Sequence, residues 1–145
     1  MLLIFYFIKR HNLYSTPGLK RVELVIGDGL RGLKEVVKLE FPGARFQVCV
    51  LHAVRDSLRI RRNKERDRIA EGLKGIYNAV SRKEARQGLM KFKKRWGRIY
   101  PELVKKWEEN FNELTTFMKY PEGVRRFIYT TNQLERLMKG YFDEG

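Results

Sequence analysis

The stretch Val22-Glu23-Leu24-Val25-Ile26 runs directly into Gly27-Asp28-Gly29, and this junction constrains the fold more than any other part of the chain. Four apolar residues interrupted by one Glu read as a buried strand. After Gly29, Leu30, Leu33, Val36, Val37 and Phe41 recur at helical spacing until Pro42-Gly43 stops the helix. Arg45 to Leu51 then predicts a second strand, with Phe46, Val48 and Val50 on one face and Gln47, Cys49 and Leu51 on the other. Strand, helix and strand within about 30 residues predict a parallel βαβ unit. A carboxylate at the C-terminal end of such a strand, flanked by glycines, stands where α/β sheets expose functional groups.

From about residue 54 the pattern becomes helical. Arg55, Arg59, Arg61, Arg62, Lys64, Arg66 and Arg68 form a dense basic stretch, which Gly72-Leu73-Lys74-Gly75-Ile76-Tyr77 closes or kinks. Ser81-Arg82-Lys83-Glu84 predicts a capping box. Its helix carries Leu89, Met90, Phe92, Lys93 and Trp96. Pro101 suits the first turn of a further helix bearing Leu103, Val104, Trp107, Phe111 and Leu114. Tyr120-Pro121 breaks the chain, and a last helix is expected near Asn132. The tryptophans and phenylalanines of this segment read as core anchors.

Lys and Arg total 31 against 17 Asp and Glu, a net charge of +14. That imbalance points to a polyanionic partner, and nucleic acid is favoured because the cations lie in helical stretches rather than in a tail. A solvated surface is the plainer explanation of the same charge. One cysteine excludes an internal disulfide and fits a cytoplasmic protein. The apolar run Met1 to Ile8 is too short to span a bilayer, which takes about 20 residues, and its charges follow it rather than precede it. No membrane role is expected.

Local sequence leaves the chemistry of each candidate residue open. Asp28 is either a ligand for divalent metal in a phosphoryl-transfer site or the N-cap of the following helix. Glu135 is either a further metal ligand or a first-turn acid favoured by the helix dipole. Cys49-x-x-His52 lacks partners for structural zinc, which takes four ligands: the only other histidine is His11 and there is no second cysteine. No zinc is expected. On one strand, Cys49 and His52 would point to opposite faces, which argues against a nucleophilic pair. Arg55, Arg59, Arg61, Arg62, Lys64 and Arg66 are the candidate DNA contacts, since Arg and Lys bind phosphate without reading sequence.

Taken in order, these blocks resemble the Mutator-type transposases of bacterial insertion sequences. The resemblance rests on Val25-Ile26-Gly27-Asp28-Gly29-Leu30-Arg31-Gly32-Leu33, Phe41-Pro42, and Gln47, Cys49, His52 and Arg55. It continues through Lys64 to Arg68, Leu73-Lys74-Gly75-Ile76-Tyr77, Trp96, Tyr100-Pro101 and Trp107, and closes on Arg125 to Glu135. It covers about residues 19–138. It implies an α/β fold: a partial ribonuclease-H-like core, made of the βαβ unit and a final helix, with a large all-helical insertion. The implied divisions are an N-terminal extension over 1–18, partial core over 19–53, insertion over 54–125 and closing-glutamate helix over 126–145.

The resemblance also implies an Asp-Asp-Glu site that uses Mg2+, with Mn2+ as a substitute. Asp28 and Glu135 would be ligands, and His52 with Cys49 would support the site. The implied reaction is cleavage at transposon ends and strand transfer into target DNA, in the cytoplasm at the nucleoid. Partners would be DNA and either a second copy or a full-length transposase. The family's first Asp should lie upstream, and Met138 replaces an expected Asn. The chain is therefore expected to be a transposase fragment without strand-transfer activity on its own. Lacking the opening strands, the Val22–Ile26 strand is expected to present an unpaired edge. The competing expectation is a non-catalytic basic helical module that binds nucleic acid or inhibits a transposase.

Overall fold

A computed structural model describes residues 5–9, 12–14, 23–28, 32–59, 62–123 and 125. The architecture is mixed α/β and mostly helical. Four strands, β1 (Phe5–Lys9), β2 (Asn12–Tyr14), β3 (Leu24–Gly27) and β4 (Arg45–Val48), form one sheet in the order β2-β1-β3-β4. β1 and β2 are antiparallel, whereas β1, β3 and β4 run parallel. Helix α1 (Leu33–Glu40) makes the crossover from β3 to β4, so the βαβ unit forms as its sequence spacing predicts.

The expected open edge on β3 is corrected by this sheet. β3 pairs on both sides, with Tyr6 opposite Val25 and Phe46 opposite Val25. Residues 5–9 and 12–14, within the segment expected to be a mere extension, supply the missing neighbours. A strand buried on both faces needs apolar residues throughout, and Leu24, Val25 and Ile26 are each at most 1% exposed. Val25 joins Leu33 and Val37 of α1 in a small cluster on one face. Leu24 and Ile26 join Val48 and the helical segment in the main core on the other.

The second predicted strand is shorter than expected. It ends at Val48, and helix α2 (Val50–Arg59) begins two residues later. Val50, Leu51, Ala53, Val54 and Leu58 recur at helical intervals and pack on the main core, so the helical period overrides strand alternation. Four further helices follow: α3 (Asn63–Tyr77), α4 (Arg82–Trp96), α5 (Pro101–Glu109) and α6 (Phe111–Leu114), then a 3-10 turn at Thr116–Lys119. α3 runs unbroken through Gly72 and Gly75, where a closure or kink was expected. The capping box at α4 forms: the Ser81 side chain accepts from the Glu84 amide at 3.2 Å, and Glu84 accepts from the Val80 amide at 3.1 Å. No described helix is long and apolar enough to cross a membrane.

Polar side chains join these helices to the sheet. Gln47 is 1% exposed, yet its amide is fully used. Its Nε2 donates to the Val48 and Leu114 carbonyls at 2.7 and 2.8 Å, and its Oε1 accepts from the Phe117 amide at 2.7 Å. The buried Trp107 indole donates to Ser57 Oγ at 2.8 Å, tying α5 to α2. Arg125 donates to the carbonyls of Tyr120, Val80 and Met118, gathering the 3-10 turn and the α3–α4 connection.

The α3–α4 pair packs backbone against backbone. A Cβ on Gly88 would lie 2.4 Å from the Gly75 carbonyl oxygen, whereas a Cβ on Gly75 would meet nothing within 4 Å. Gly88→Ala should therefore push two helices apart and cost about 1–3 kcal/mol. Gly75→Ala should stabilise by up to about 1 kcal/mol through helix propensity. Urea denaturation of both variants checks the opposite signs. In the same assay, Gln47→Leu should cost on the order of 2–5 kcal/mol, because it strands a buried carbonyl and a buried amide. Hydrogen exchange at the Phe117 amide should accelerate with it.

Candidate functional site

The parallel pair β3–β4 brings two singled-out residues to one edge. Gly27 stands opposite Val48 in the register, so Asp28 and Cys49 both lie immediately past the C-terminal ends of adjacent strands. The Cys49 amide donates to the Gly27 carbonyl at 2.7 Å and holds these ends together. The close fit depends on Gly27: a Cβ there would lie 2.6 Å from Leu33 Cδ2 and 3.1 Å from the Phe46 ring. Thus α1 and β4 close over the strand end, and the next residue, Asp28, is the first free to carry a functional side chain.

Asp28 is half-buried, and its Oδ1 is buried without a hydrogen-bond partner among the described residues. Of the two roles left open by sequence, the cap is not the one adopted. α1 begins at Leu33 with Gly32 as its N-cap, and no side chain caps it. An unsatisfied buried carboxylate oxygen costs stability and so points to a role outside folding.

Cys49-x-x-His52 straddles the junction between β4 and α2, not one strand as expected. Cys49 is 0% exposed and packs in the main core. His52 falls in the first turn of α2 and is half-buried. The helical turn replaces the strand alternation that would have sent the two side chains to opposite faces. The start of α2 therefore lies next in sequence to the strand end beside Asp28, and a helix N-terminus favours anions.

Asp28 offers a hard oxygen ligand of the kind magnesium prefers, and its Oδ1 has no other described use. Among the described residues no three His, Cys, Asp or Glu side chains converge, so these supply a single carboxylate to such a site. Glu135 and the expected last helix lie outside the described residues.

The candidate DNA contacts cluster at the corner between α2 and α3. Arg55 and Arg59 are exposed on α2, Arg62 is the exposed N-cap of α3, and Lys64 and Arg66 are exposed on its first turns. Arg61 lies outside the described residues. Two interspersed acids are engaged elsewhere. Asp56 faces Lys106 at 3.5 Å, and Glu65 accepts from the Tyr100 hydroxyl. The more basic element is α4, with seven Lys or Arg and one Glu among its 15 residues. Sequence reading placed α4 only as a core helix, although its charge count was there to be seen.

Residues 12–141 match the family model described as transposase, Mutator family. The chain is 32% identical over 133 residues to a transposase for insertion sequence element ISRM3 of Rhizobium meliloti, covering 91% of this chain and 33% of that protein. It is 33% identical over 124 residues to a probable insertion-sequence transposase of Corynebacterium diphtheriae, covering 85% of this chain and 36% of that one. A third relative, the transposase for IS905 of Lactococcus lactis, is 33% identical over 125 residues, with 86% and 32% covered. The chain thus spans about a third of the length of the curated relatives it matches.

Because Asp28 does not cap α1 and its buried oxygen has no partner among the described residues, Asp28→Ala should leave the melting temperature unchanged or raise it. Loss of a helix cap would instead cost about 1 kcal/mol. A thermal melt followed by circular dichroism distinguishes the two.

Proposed function

The chain belongs to the Mutator family of transposases, and from that premise we propose that it is the portion of an insertion-sequence transposase that carries the second carboxylate of an Asp-Asp-Glu site. The observation that carries this reading is the position of Asp28, with a buried carboxylate oxygen that has no partner among the described residues, at the C-terminal edge of a central parallel strand. In this reading the core is ribonuclease-H-like, α2 to α6 are its helical insertion, and Glu135 supplies a further carboxylate. DNA is the substrate, at transposon ends and at the target.

Asp28 would hold a divalent cation, magnesium or manganese. Such an ion, when bound, supplies positive charge to a phosphoryl group undergoing transfer. The chain's own contributions are positional. Gly27 lets α1 and β4 close against the strand end, which fixes the direction in which Asp28 leaves the sheet. The first turn of α2 supplies His52 and a helix terminus that favours the negative phosphate. The cations of the α2–α3 corner would hold the DNA backbone nearby through phosphate contacts.

Addition of Mn2+ to isotopically labelled protein tests this reading. Paramagnetic broadening should centre on the amides of Gly27, Asp28, and Cys49 to His52, and Asp28→Asn should abolish it. Broadening that ignores the substitution, or that centres on surface acids such as Glu108 and Glu109, would sink the assignment. It would leave the chain as a transposase-derived segment whose role is to bind DNA without chemistry.

A further inference from the structure

Helix α4 divides its cations between two tasks. On one side they serve the fold. Arg82 donates to Thr115 Oγ1 at 3.2 Å and to Asn112 Oδ1 at 2.8 Å, the Arg86 guanidinium sits 4.7 Å from the Phe111 ring centre, and Lys93 pairs with Glu108 at 3.0 Å. Ala85, Leu89, Phe92 and Trp96 bury the apolar face between them. On the opposite side Lys83, Lys91 and Lys94 are exposed, as is Arg98 in the turn that follows the helix; Arg95 is exposed too, but its guanidinium sits 5.4 Å from the Trp96 ring centre. At 100° per residue, Lys83 and Lys94 fall on one line of the helix, with Lys91 displaced from it toward the α3 side. Lys83, Lys91, Lys94 and Arg98 have no ion-pair partner among the described residues. Glu84, the one acid of the helix, is taken up by the cap.

An ordinary solvated face would be built differently. On α3, Asp67 and Glu71 interleave with Arg68 and Lys74, and Glu71 pairs with Lys74 at 3.2 Å. On α4, Lys91 and Arg95 stand at four-residue spacing, and no acid follows Glu84 in the helix to relieve them. Like charges at that spacing destabilise a helix. The row from Lys83 to Lys94 is about 16 Å long at 1.5 Å per residue. A DNA duplex presents one negative charge per roughly 1.7 Å of its axis, so several phosphates fall within that length.

The row borders a groove of about 530 Å³ between α3 and α4, lined by Arg68, Gly72, Gly75, Lys91 and Arg95 among others. Gly75 leaves open space where a side chain would stand, whereas Gly72 is covered by the Phe92 ring. Arg68 adds a cation from the α3 side, where Asp67 and Glu71 also line the groove.

We infer that the outer face of α4 and the turn after it, from Lys83 to Arg98, is a docking surface for the phosphate backbone of duplex DNA, separate from the α2–α3 corner. It rests on the reading that this chain acts on DNA, but not on any phosphoryl-transfer chemistry. The contacts are to phosphates, so the surface holds DNA without regard to sequence.

The test is binding of the full 145-residue chain to a fluorescein-labelled duplex of arbitrary sequence, by anisotropy across a salt series. One variant combines Lys91→Ala, Lys94→Ala and Arg98→Ala; a second combines Arg55→Ala, Arg59→Ala and Arg62→Ala. Each engaged cation contributes about 0.9 to the slope of log K against log salt. The α4 variant should lose about 2–3 from that slope and bind roughly ten-fold or more weakly at low salt. Its melting temperature should be unchanged or raised, and Lys→Arg replacements should restore binding. An α4 variant that binds like the wild type, while the corner variant loses slope, overturns the α4 surface and leaves the DNA reading standing. Failure of the wild type to bind duplex at low salt overturns both. Binding to phosphatidylserine vesicles in place of DNA, lost in the α4 variant, would make the partner a lipid surface and likewise overturn the proposal.

Discussion

The side chain of Gln47 imposes the constraint on which the rest of the arrangement depends. It projects from β4 and satisfies the backbone of Leu114 and Phe117, residues 67 and 70 positions further along the chain. A buried amide of this kind acts as an extra peptide group, accepting from one strand of chain and donating to another. It fixes where the helical segment returns to the sheet. The Arg45 guanidinium, 5.1 Å from the Tyr120 ring centre, reinforces that return from the exposed end of β4. Between exit at Cys49 and return at Leu114 the helices are free to pack on one another, and Trp107, Phe92 and Trp96 fill the space between them.

The parallel βαβ unit could be read from sequence because its signals are local. A continuous apolar run marks a doubly covered strand, and Pro42-Gly43 marks the end of α1. Ser81 and Pro101 announced the starts of α4 and α5 for equally local reasons. The length of β4 was not legible. The alternation of Arg45 to Leu51 satisfies a strand, while Val50, Leu51, Val54 and Leu58 satisfy a helix, and only the core beneath α2 decides between them. The neighbours of β3 were also hidden, since pairing with residues 5–9 depends on contacts made across the sheet.

The site was legible in part. Asp28 was found from its glycines and its strand, and structure decides against the cap because the helix starts at Leu33, with Gly32 as its N-cap. The charges were harder to apportion. A net charge of +14 does not say which cations are structural. Arg125 spends its guanidinium on three carbonyls and Arg82 on two side chains, whereas Lys91 and Lys94 point outward. Distinguishing these groups requires knowing which helix faces are covered, and that is a property of the packing rather than of any window of sequence.

Cys49 gives the fold a chemical clock. It is the chain's one cysteine, fully buried at the strand end, with its amide bonded to the residue before Asp28. Reagents that alkylate thiols reach it only when the seam between β3, β4 and α2 parts. The rate of its alkylation therefore reports how often that seam opens, a local free energy separate from global unfolding. Since the same seam sets the direction of Asp28, a single thiol counts the moments at which the carboxylate is out of place.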